Sequence, residues 1–182
     1  MGSSPGDGQN DTLDDRRPAT LQCPCRVSTH GGFFYNLVRP RKEHMKLDAQ
    51  VVGNAGLYFT CYRLSLLGWN AMPTARNARG IDVVAYGRKV DRYVGVQVKS
   101  LSQRAPVPLG TSLETVIGDF WVIVNKVTSQ PPAFILTPAE IRGLAHRGEK
   151  DERISFWLQP NAYDTAAFRE AWARIGRGDD TA

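Results

Sequence analysis

The sequence predicts one α/β domain in which helices pack around a mixed β-sheet. Short runs rich in Val, Ile, Phe and Tyr alternate with segments of helical periodicity, in the order helix, strand, hairpin, two strands, helix, strand, helix. The 182 residues, 42% hydrophobic and 23% charged, suffice for one domain with a buried core. No apolar run approaches the roughly 20 residues of a membrane helix. No membrane association is therefore expected.

Residues 1–44 differ in composition from the rest of the chain. They begin with Gly, Ser, Pro, Asp and Asn, lack hydrophobic periodicity and hold little to bury, so we expect disorder in at least about the first twenty. Met45 resembles a natural chain start, which makes the segment a candidate non-native extension. The folded domain is predicted over residues 45–176, with a frayed tail at 177–182.

The cysteines do not suggest a disulfide framework. There are three, and Cys23 and Cys25 are separated by one residue, with His30 nearby. This is a weak zinc pattern, because no second pair of ligands accompanies it. Without a disulfide pattern or a signal peptide, a cytoplasmic protein is expected.

Hydrophobic periodicity, together with glycine, proline and helix-capping residues, predicts the individual elements. Helices are predicted over residues 53–67, 138–147 and 164–175, and strands over residues 69–73, 119–124, 133–136 and 154–158. The Thr-Pro-Ala-Glu sequence at Thr137 predicts a capped helix start with proline at the first position. Residues 102–113 are predicted as a loop, because Pro106, Pro108 and Gly110 cannot continue a central strand.

The central feature is a β-hairpin within residues 76–101. Its first strand follows Asp82, and its second strand carries Gln97 and Lys99 on either side of Val98. Because side chains alternate along a strand, Gln97 and Lys99 point to one face and Val98 to the other. An amide and a lysine are costly to bury unless something uses them. The hairpin therefore predicts a functional site.

Positive charge is concentrated around this hairpin. Residues 68–104 hold seven basic and two acidic residues, a difference of +5 that equals the formal net charge of the whole chain. Such an excess favours polyanions, while a solvated basic face is the plainer alternative. The residues expected to contact nucleic acid are Arg76, Asn77, Arg79, Arg88, Lys89, Arg92 and Arg104.

One polar residue is predicted on the inner face of the first helix. Asn54 shares helical spacing with Leu57, Tyr58 and Cys61, so it falls where a core residue would be expected. A helix cap is the alternative interpretation, because asparagine is favoured there.

The helix with Asn54, the strand after Asp82 and the Gln97-Val98-Lys99 sequence together resemble the PD-(D/E)xK nuclease superfamily, in its QxK variant. The resemblance implies a restriction-endonuclease-like α/β/α sandwich with a central mixed β-sheet. It also implies a DNA endonuclease that depends on Mg²⁺ or Mn²⁺ and uses no small-molecule cofactor. Asp82, Gln97 and the Val98 carbonyl would hold the metal, and Lys99 would stabilise the transition state. Oxygen ligands of this kind suit a hard cation.

Further implications concern assembly and the loss of activity. Many nucleases of this fold dimerise, so a homodimer is one option.

The family usually has a glutamate on the inner face of the first helix, where this chain has Asn54, which leaves Asp82 as the motif's only carboxylate. One carboxylate holds a divalent cation weakly. Asn54 is expected to support catalysis, by ligating the metal through its amide oxygen or by orienting a metal-bound water. Asp119 and Glu114 are possible additional carboxylates outside the motif.

Two alternatives to an active nuclease follow. The first is a non-catalytic DNA-binding protein that keeps the nuclease fold. The second is purely structural, with Asp82 capping the hairpin and Lys99 exposing its ammonium group above a buried stem.

Overall fold

A mixed five-stranded sheet forms the centre of the fold. The computed structural model describes residues 47–75 and 80–179, all within the unit from Lys42 to Ala182. The described strands are β1 (Asn70–Pro73), β2 (Val83–Tyr86), β3 (Tyr93–Ser100), β4 (Val107–Gly110), β5 (Phe120–Val124), β6 (Ala133–Leu136), β7 (His146–Lys150) and β8 (Arg153–Leu158). The central sheet has the order β1-β2-β3-β5-β6, and a second sheet has the order β4-β8-β7. Only the β3–β5 pair is parallel among these strands, so the predicted α/β fold with a central mixed sheet is confirmed.

Three described α-helices accompany the sheets, and the first two begin at a side-chain cap. They are α1 (Ala49–Leu66), α2 (Pro138–Leu144) and α3 (Pro160–Tyr163). α1 begins before the predicted start because the Asp48 carboxylate accepts a hydrogen bond from the Val51 N–H at 2.9 Å. α2 has the predicted capping box between Thr137 and Glu140. Within the described residues, no helix is long and apolar enough to cross a membrane.

Helix α1 contacts the central sheet through small side chains. A Cβ atom added at Gly56 would collide with the Ser100 side chain, so the helix axis lies close to β3. The predicted inner face was right for Leu57 and Cys61, which pack against the core, and wrong for Asn54 and Tyr58, which are both exposed. The buried positions of α1 are Val52, Gly56, Thr60 and Leu64.

The second sheet, α2 and α3 cover part of the other face of the central sheet. Trp121 and Phe134 of the central sheet pack there with Val107, Ile141 and Tyr163 from the covering elements. This layer gives the domain a second apolar core, separate from the one beneath α1.

Two strands of this covering layer were predicted incorrectly. β4 lies in the segment that was predicted as a loop, and Pro108 is tolerated there because the pairing with β8 shifts between Pro108 and Gly110. β7 was expected to continue the helix that starts after Thr137. That helix instead stops at Leu144, where Ala145 becomes extended.

The predicted helix at residues 164–175 is also wrong. The segment after α3 pairs with β6: Ile135 N–H donates to the Phe168 carbonyl at 2.9 Å, and Glu170 N–H donates to the Ala133 carbonyl at 2.7 Å. Glu170 adopts φ 50°, which interrupts helical geometry. Tertiary hydrogen bonds therefore override the amphipathic pattern, and only a short 3-10 turn remains, at Trp172–Arg174.

The segment 176–179, most of which was expected to belong to a frayed tail, is held by hydrogen bonds. Gly178 N–H donates to the Leu67 carbonyl, and the Gly178 carbonyl accepts from Arg88 N–H, both at 2.9 Å. A Cβ atom at Gly178 would lie 2.6 Å from the Gly68 carbonyl oxygen, which leaves space only for glycine. These contacts fasten the segment between the α1–β1 turn and the hairpin turn.

Glu170 connects the C-terminal segment to both the helix and the sheet. Its carboxylate accepts hydrogen bonds from Ala133 N–H at 2.7 Å, Arg63 at 2.8 Å and the Trp172 indole at 3.0 Å. Burial raises the pKa of Glu170, but these hydrogen bonds and the Arg63 charge outweigh it, so the pKa lies below the ordinary value. The ionised form is therefore the one that the fold binds.

We expect Glu170→Gln to lower the free energy of unfolding at pH 7 by about 1–2 kcal/mol, since the group is partly exposed. The folded-state pKa is depressed, so this stabilisation is present above the unfolded pKa of about 4.3 and is lost as pH falls through the folded value. The free energies of unfolding of the variant and the wild type, measured with urea, should therefore become equal at low pH. Glu149→Gln is the control, because its pair with Arg147 is exposed, and a loss as large as that of Glu170→Gln would contradict the assignment.

Candidate functional site

Asp82 and Gln97 face each other across the central hairpin. Val83 pairs with Val96 in the antiparallel register, so the preceding residue, Asp82, lies opposite Gln97. Asp82 N–H donates to the Val96 carbonyl at 2.9 Å. The Asp82 carboxylate, through Oδ2, accepts a hydrogen bond from Val98 N–H at 2.7 Å. The carboxylate is thus fixed against the backbone of β3, just before β2 begins.

The loop before Asp82 is fastened to the end of β1. Thr74 Oγ1 donates to the Ile81 carbonyl at 2.6 Å, and Thr74 N–H donates to the Asp82 carbonyl at 2.9 Å. Gly80 adopts φ 79°, a conformation that glycine takes without strain. The backbone that presents Asp82 is therefore held on both sides.

Gln97 contains a buried oxygen without a partner. Its Oε1 atom is buried and accepts no hydrogen bond from any described residue. An unsatisfied buried polar group costs about 1–3 kcal/mol, and such groups are uncommon in native proteins. The Gln97 oxygen is therefore a polar group that the described residues leave unsatisfied.

The backbone carbonyl of Val98 adds a third oxygen. The N–H and C=O of one strand residue point to the same side of the strand. Since Val98 N–H is directed to Asp82, the Val98 carbonyl also points to that side. Carboxylate, amide and carbonyl oxygens are the kind of ligand that a hard divalent cation prefers. The described residues contain no cluster of three or more His, Cys, Asp or Glu that could form a richer metal site.

Lys99 lies over an aromatic ring on the same face as Gln97. Its Nζ atom is 5.4 Å from the Trp121 ring centroid, within the range of a cation–π contact. Trp121 is 2% exposed, and its indole N–H donates to the Ile117 carbonyl at 3.0 Å. Trp121 is also the register partner of Gln97 in the parallel β3–β5 pair. Sequence reasoning missed Trp121, because no local signal predicts which strand lies beside β3.

The two additional carboxylates that the sequence offered have different positions. Asp119 Oδ2 accepts a hydrogen bond from Gly95 N–H at 2.7 Å, which ties the start of β5 to β3. Glu114 lies exposed in a 3-10 turn. Among the described residues, no hydrogen bond joins either carboxylate to Asp82 or Gln97. Asp82 is therefore the one carboxylate that the described contacts place at the site.

Asn54 lies on the other side of the sheet from Gln97 and Lys99. Helix α1 packs on the face that carries Val96 and Ser100, and the exposed Asn54 side chain belongs to this layer. The structure therefore does not pack Asn54 against Gln97 and Lys99, and its part in catalysis stays a prediction.

Among the described residues, the basic side chains predicted to contact nucleic acid do not form one continuous groove beside the site. Arg76, Asn77 and Arg79 lie outside the described residues. Arg92 donates to the Ile175 carbonyl at 3.1 Å and stacks on Trp69 at 4.9 Å. Its guanidinium therefore has a structural role.

The remaining residues that were predicted to contact nucleic acid differ in whether their side chains are free to do so. Arg104 pairs with Asp164 at 2.6 Å. Arg88 and Lys89 are exposed in the hairpin turn. They follow β2, at the end of the hairpin remote from Asp82, roughly 16–20 Å along the strand.

Two solved structures of nucleases are similar to this structure. No protein-family model and no curated protein matches the sequence. The structure is similar to the Holliday junction resolvase Hjc of the archaeal hyperthermophile Archaeoglobus fulgidus, with a TM-score of 0.48 and 15% identity over 71% of this chain and 98% of that chain. It is also similar to a bacterial homing endonuclease, with a TM-score of 0.49 and 17% identity over 71% of this chain and 93% of that chain.

We expect Gln97→Leu to leave the free energy of unfolding unchanged or to raise it by up to about 1 kcal/mol, because it removes an unsatisfied buried acceptor. Asn125→Leu is the matched control: Asn125 is 1% exposed and is hydrogen-bonded to the Tyr163 hydroxyl at 3.3 Å. That variant should lose about 1–3 kcal/mol. Urea unfolding followed by circular dichroism compares the two, and an equal loss in both would mean that Gln97 is satisfied in the folded protein.

Proposed function

We propose that this chain is a divalent-metal-dependent DNA nuclease that hydrolyses phosphodiester bonds at Asp82, Gln97 and Lys99. The observation that carries the proposal is the buried, unpartnered Gln97 oxygen opposite the Asp82 carboxylate, with the Lys99 ammonium on the same face. A hairpin that needed only a cap would not require this acceptor. An unpaired buried oxygen next to a carboxylate and an ammonium group supports a ligand site at this place.

The proposed metal ligands are the Asp82 carboxylate, the Gln97 amide oxygen and the Val98 carbonyl. A bound Mg²⁺ or Mn²⁺ supplies positive charge that polarises the oxygens of the scissile phosphate. Asp82 can serve as ligand and cap together, because Val98 N–H engages Oδ2 and a carboxylate has two acceptor oxygens. The Val98 hydrogen bond also orients the carboxylate before any ligand arrives.

Lys99 is the proposed source of transition-state stabilisation. Its side chain is half-buried, and the Trp121 ring holds the ammonium group on the face of Gln97. An ammonium group near the phosphoryl oxygens stabilises the negative charge that develops on them during hydrolysis. A long, flexible stem allows the group to leave the ring for a phosphate.

Cleavage of DNA is the direct test. With Mg²⁺ or Mn²⁺, the wild type should cut supercoiled plasmid or circular single-stranded DNA, and Asp82→Ala and Lys99→Ala should each lower the rate at least about 100-fold. Gln50→Ala serves as the control and should stay within about threefold, because Gln50 is exposed on α1 and has no proposed role. A wild type that binds DNA tightly and cuts neither form with either metal would overturn the proposal.

A charge change at Gln97 tests the ligand set separately. We expect Gln97→Glu to lower the Mn²⁺ concentration needed for half-maximal cleavage, because divalent-cation affinity rises with the number of ligand charges. Without DNA, the same variant should gain more thermal stability from Mn²⁺ than the wild type gains, and Gln97→Leu should gain less. If all three proteins respond equally to Mn²⁺, Gln97 is not a ligand.

A further inference from the structure

The face of the central sheet that carries Gln97 is only partly covered. Over β5 and β6 it packs against the second sheet, but over β1, β2 and β3 its side chains reach solvent. Met72 is 50% exposed and Tyr93 59% exposed, with Val84 and Tyr86 half-buried beside them. Met72 pairs with Val84, and Tyr86 with Tyr93, so cross-strand partners share this face.

This open surface is continuous with the candidate site. Tyr93 and Gln97 are both odd-numbered residues of β3 and therefore point to one face. The intervening position is Gly95, where an added Cβ would lie 2.9 Å from Ile81 Cδ1. Ile81 therefore lies over Gly95 and extends the apolar surface from the tyrosines to the residue beside Asp82.

The two tyrosines form an aromatic platform at the turn end of the hairpin. Their ring centroids are 6.2 Å apart, with the planes inclined by 36°. Just beyond them, Arg88 and Lys89 are exposed, together with two exposed acids, Asp91 and Asp179. Aromatic rings beside cations suit a ligand that has flat apolar groups joined by phosphates.

We propose that Tyr86 and Tyr93 stack unpaired bases of a single-stranded DNA segment, with Lys89 and Arg88 contacting its phosphates. This rests on the proposed function, because it takes DNA as the ligand, and it narrows the substrate class to DNA with unpaired nucleotides. In a duplex each base is already stacked on its neighbours, so no free base face is left to stack on an exposed tyrosine ring. Because every base has a π-face, the platform distinguishes single-stranded from double-stranded DNA but does not distinguish one base sequence from another.

The spacing matches a strand that runs along the hairpin. Tyr93 lies four residues from Gln97, roughly 13 Å at the rise of a β-strand. That distance corresponds to about four nucleotides at the 3.4 Å rise of a stacked strand. The platform therefore holds the strand a few nucleotides from the phosphate at Asp82.

The outer face of α1 lacks this combination. Tyr58 and Tyr62 are also exposed there, at 63% and 59%, but Arg63 is the only charged residue of α1. Arg63 is bound to Glu170, so α1 offers a polyanion no available cation. Tyr62 therefore provides a control that matches Tyr93 in residue type and exposure.

Fluorescence anisotropy tests the platform. In EDTA, so that no cleavage occurs, a labelled thymidine oligonucleotide of about 20 nucleotides should bind the full chain. Tyr93→Ala should weaken this binding by about 5- to 100-fold, because one base stack contributes about 1–3 kcal/mol. Tyr93→Phe should retain the affinity within about threefold, and Tyr62→Ala should leave it unchanged. Binding to a duplex should change less than about threefold in every variant.

The cations give a second measurement. Changing both Arg88 and Lys89 to Ala should reduce the slope of log affinity against log salt by about 0.7 for each phosphate that the protein no longer neutralises. Thermal melting of each variant shows whether the fold is intact, and exposed tyrosines should have little effect on it.

The outcomes separate the two proposals. Binding of single strands by Tyr93→Ala as tight as that of the wild type, an equal loss in Tyr62→Ala, or a Tyr93-dependent change from dimer to monomer would overturn the platform. Cleavage that survives such a result leaves the nuclease proposal standing. Binding that depends on Tyr93 in a chain that cuts no DNA supports the platform and removes the nuclease proposal.

Discussion

The hydrogen bond from Val98 N–H to the Asp82 carboxylate determines how the site is built. Before Val83 the chain leaves the sheet through Gly80, so a ladder bond to β3 is missing at that point. Asp82 supplies a side-chain oxygen where a continuing strand would offer a backbone carbonyl. The same contact that ends the hairpin therefore sets a carboxylate beside the Gln97 amide and the Val98 carbonyl. The capping role of Asp82 is compatible with the proposed ligand role, because the carboxylate has an oxygen for each.

The close contact between α1 and β3 explains why a helix residue is not packed into this site. Gly56 lies against Ser100, and the sheet separates α1 from Gln97 and Lys99. Periodicity predicted the helix α1 and placed Leu57 and Cys61 correctly against the core, but it also placed Asn54 and Tyr58 there, and both are exposed. The face that meets a flat sheet closely is the one with small residues, and single-sequence patterns give such positions little weight.

Local signals predicted the elements that depend on local chemistry. The capping box at Thr137, the hairpin and the strand at residues 133–136 follow from caps, alternation and β-branched runs, and they appear where expected. The remaining differences come from long-range pairing. Glu170 adopts positive φ to bond with Ala133, and Arg92 is occupied by the C-terminal segment. The partner of Lys99 depends on the parallel β3–β5 pairing, and nothing in the local sequence encodes which strand that is.

The single carboxylate and the open sheet face have a common consequence for the proposed nuclease. Mg²⁺ is commonly bound by one or two carboxylates together with substrate phosphates, so a site with Asp82 alone depends on DNA to complete its oxygen ligands. The metal site then contributes little to holding DNA before catalysis. Affinity must come from elsewhere on the same face, where Tyr93 stays exposed although burial of an aromatic ring is favourable. In the proposed nuclease, the two ends of the hairpin therefore have different tasks. The exposed tyrosines at the turn bind the DNA strand, and the proposed metal site at Asp82, with its single carboxylate, cleaves it.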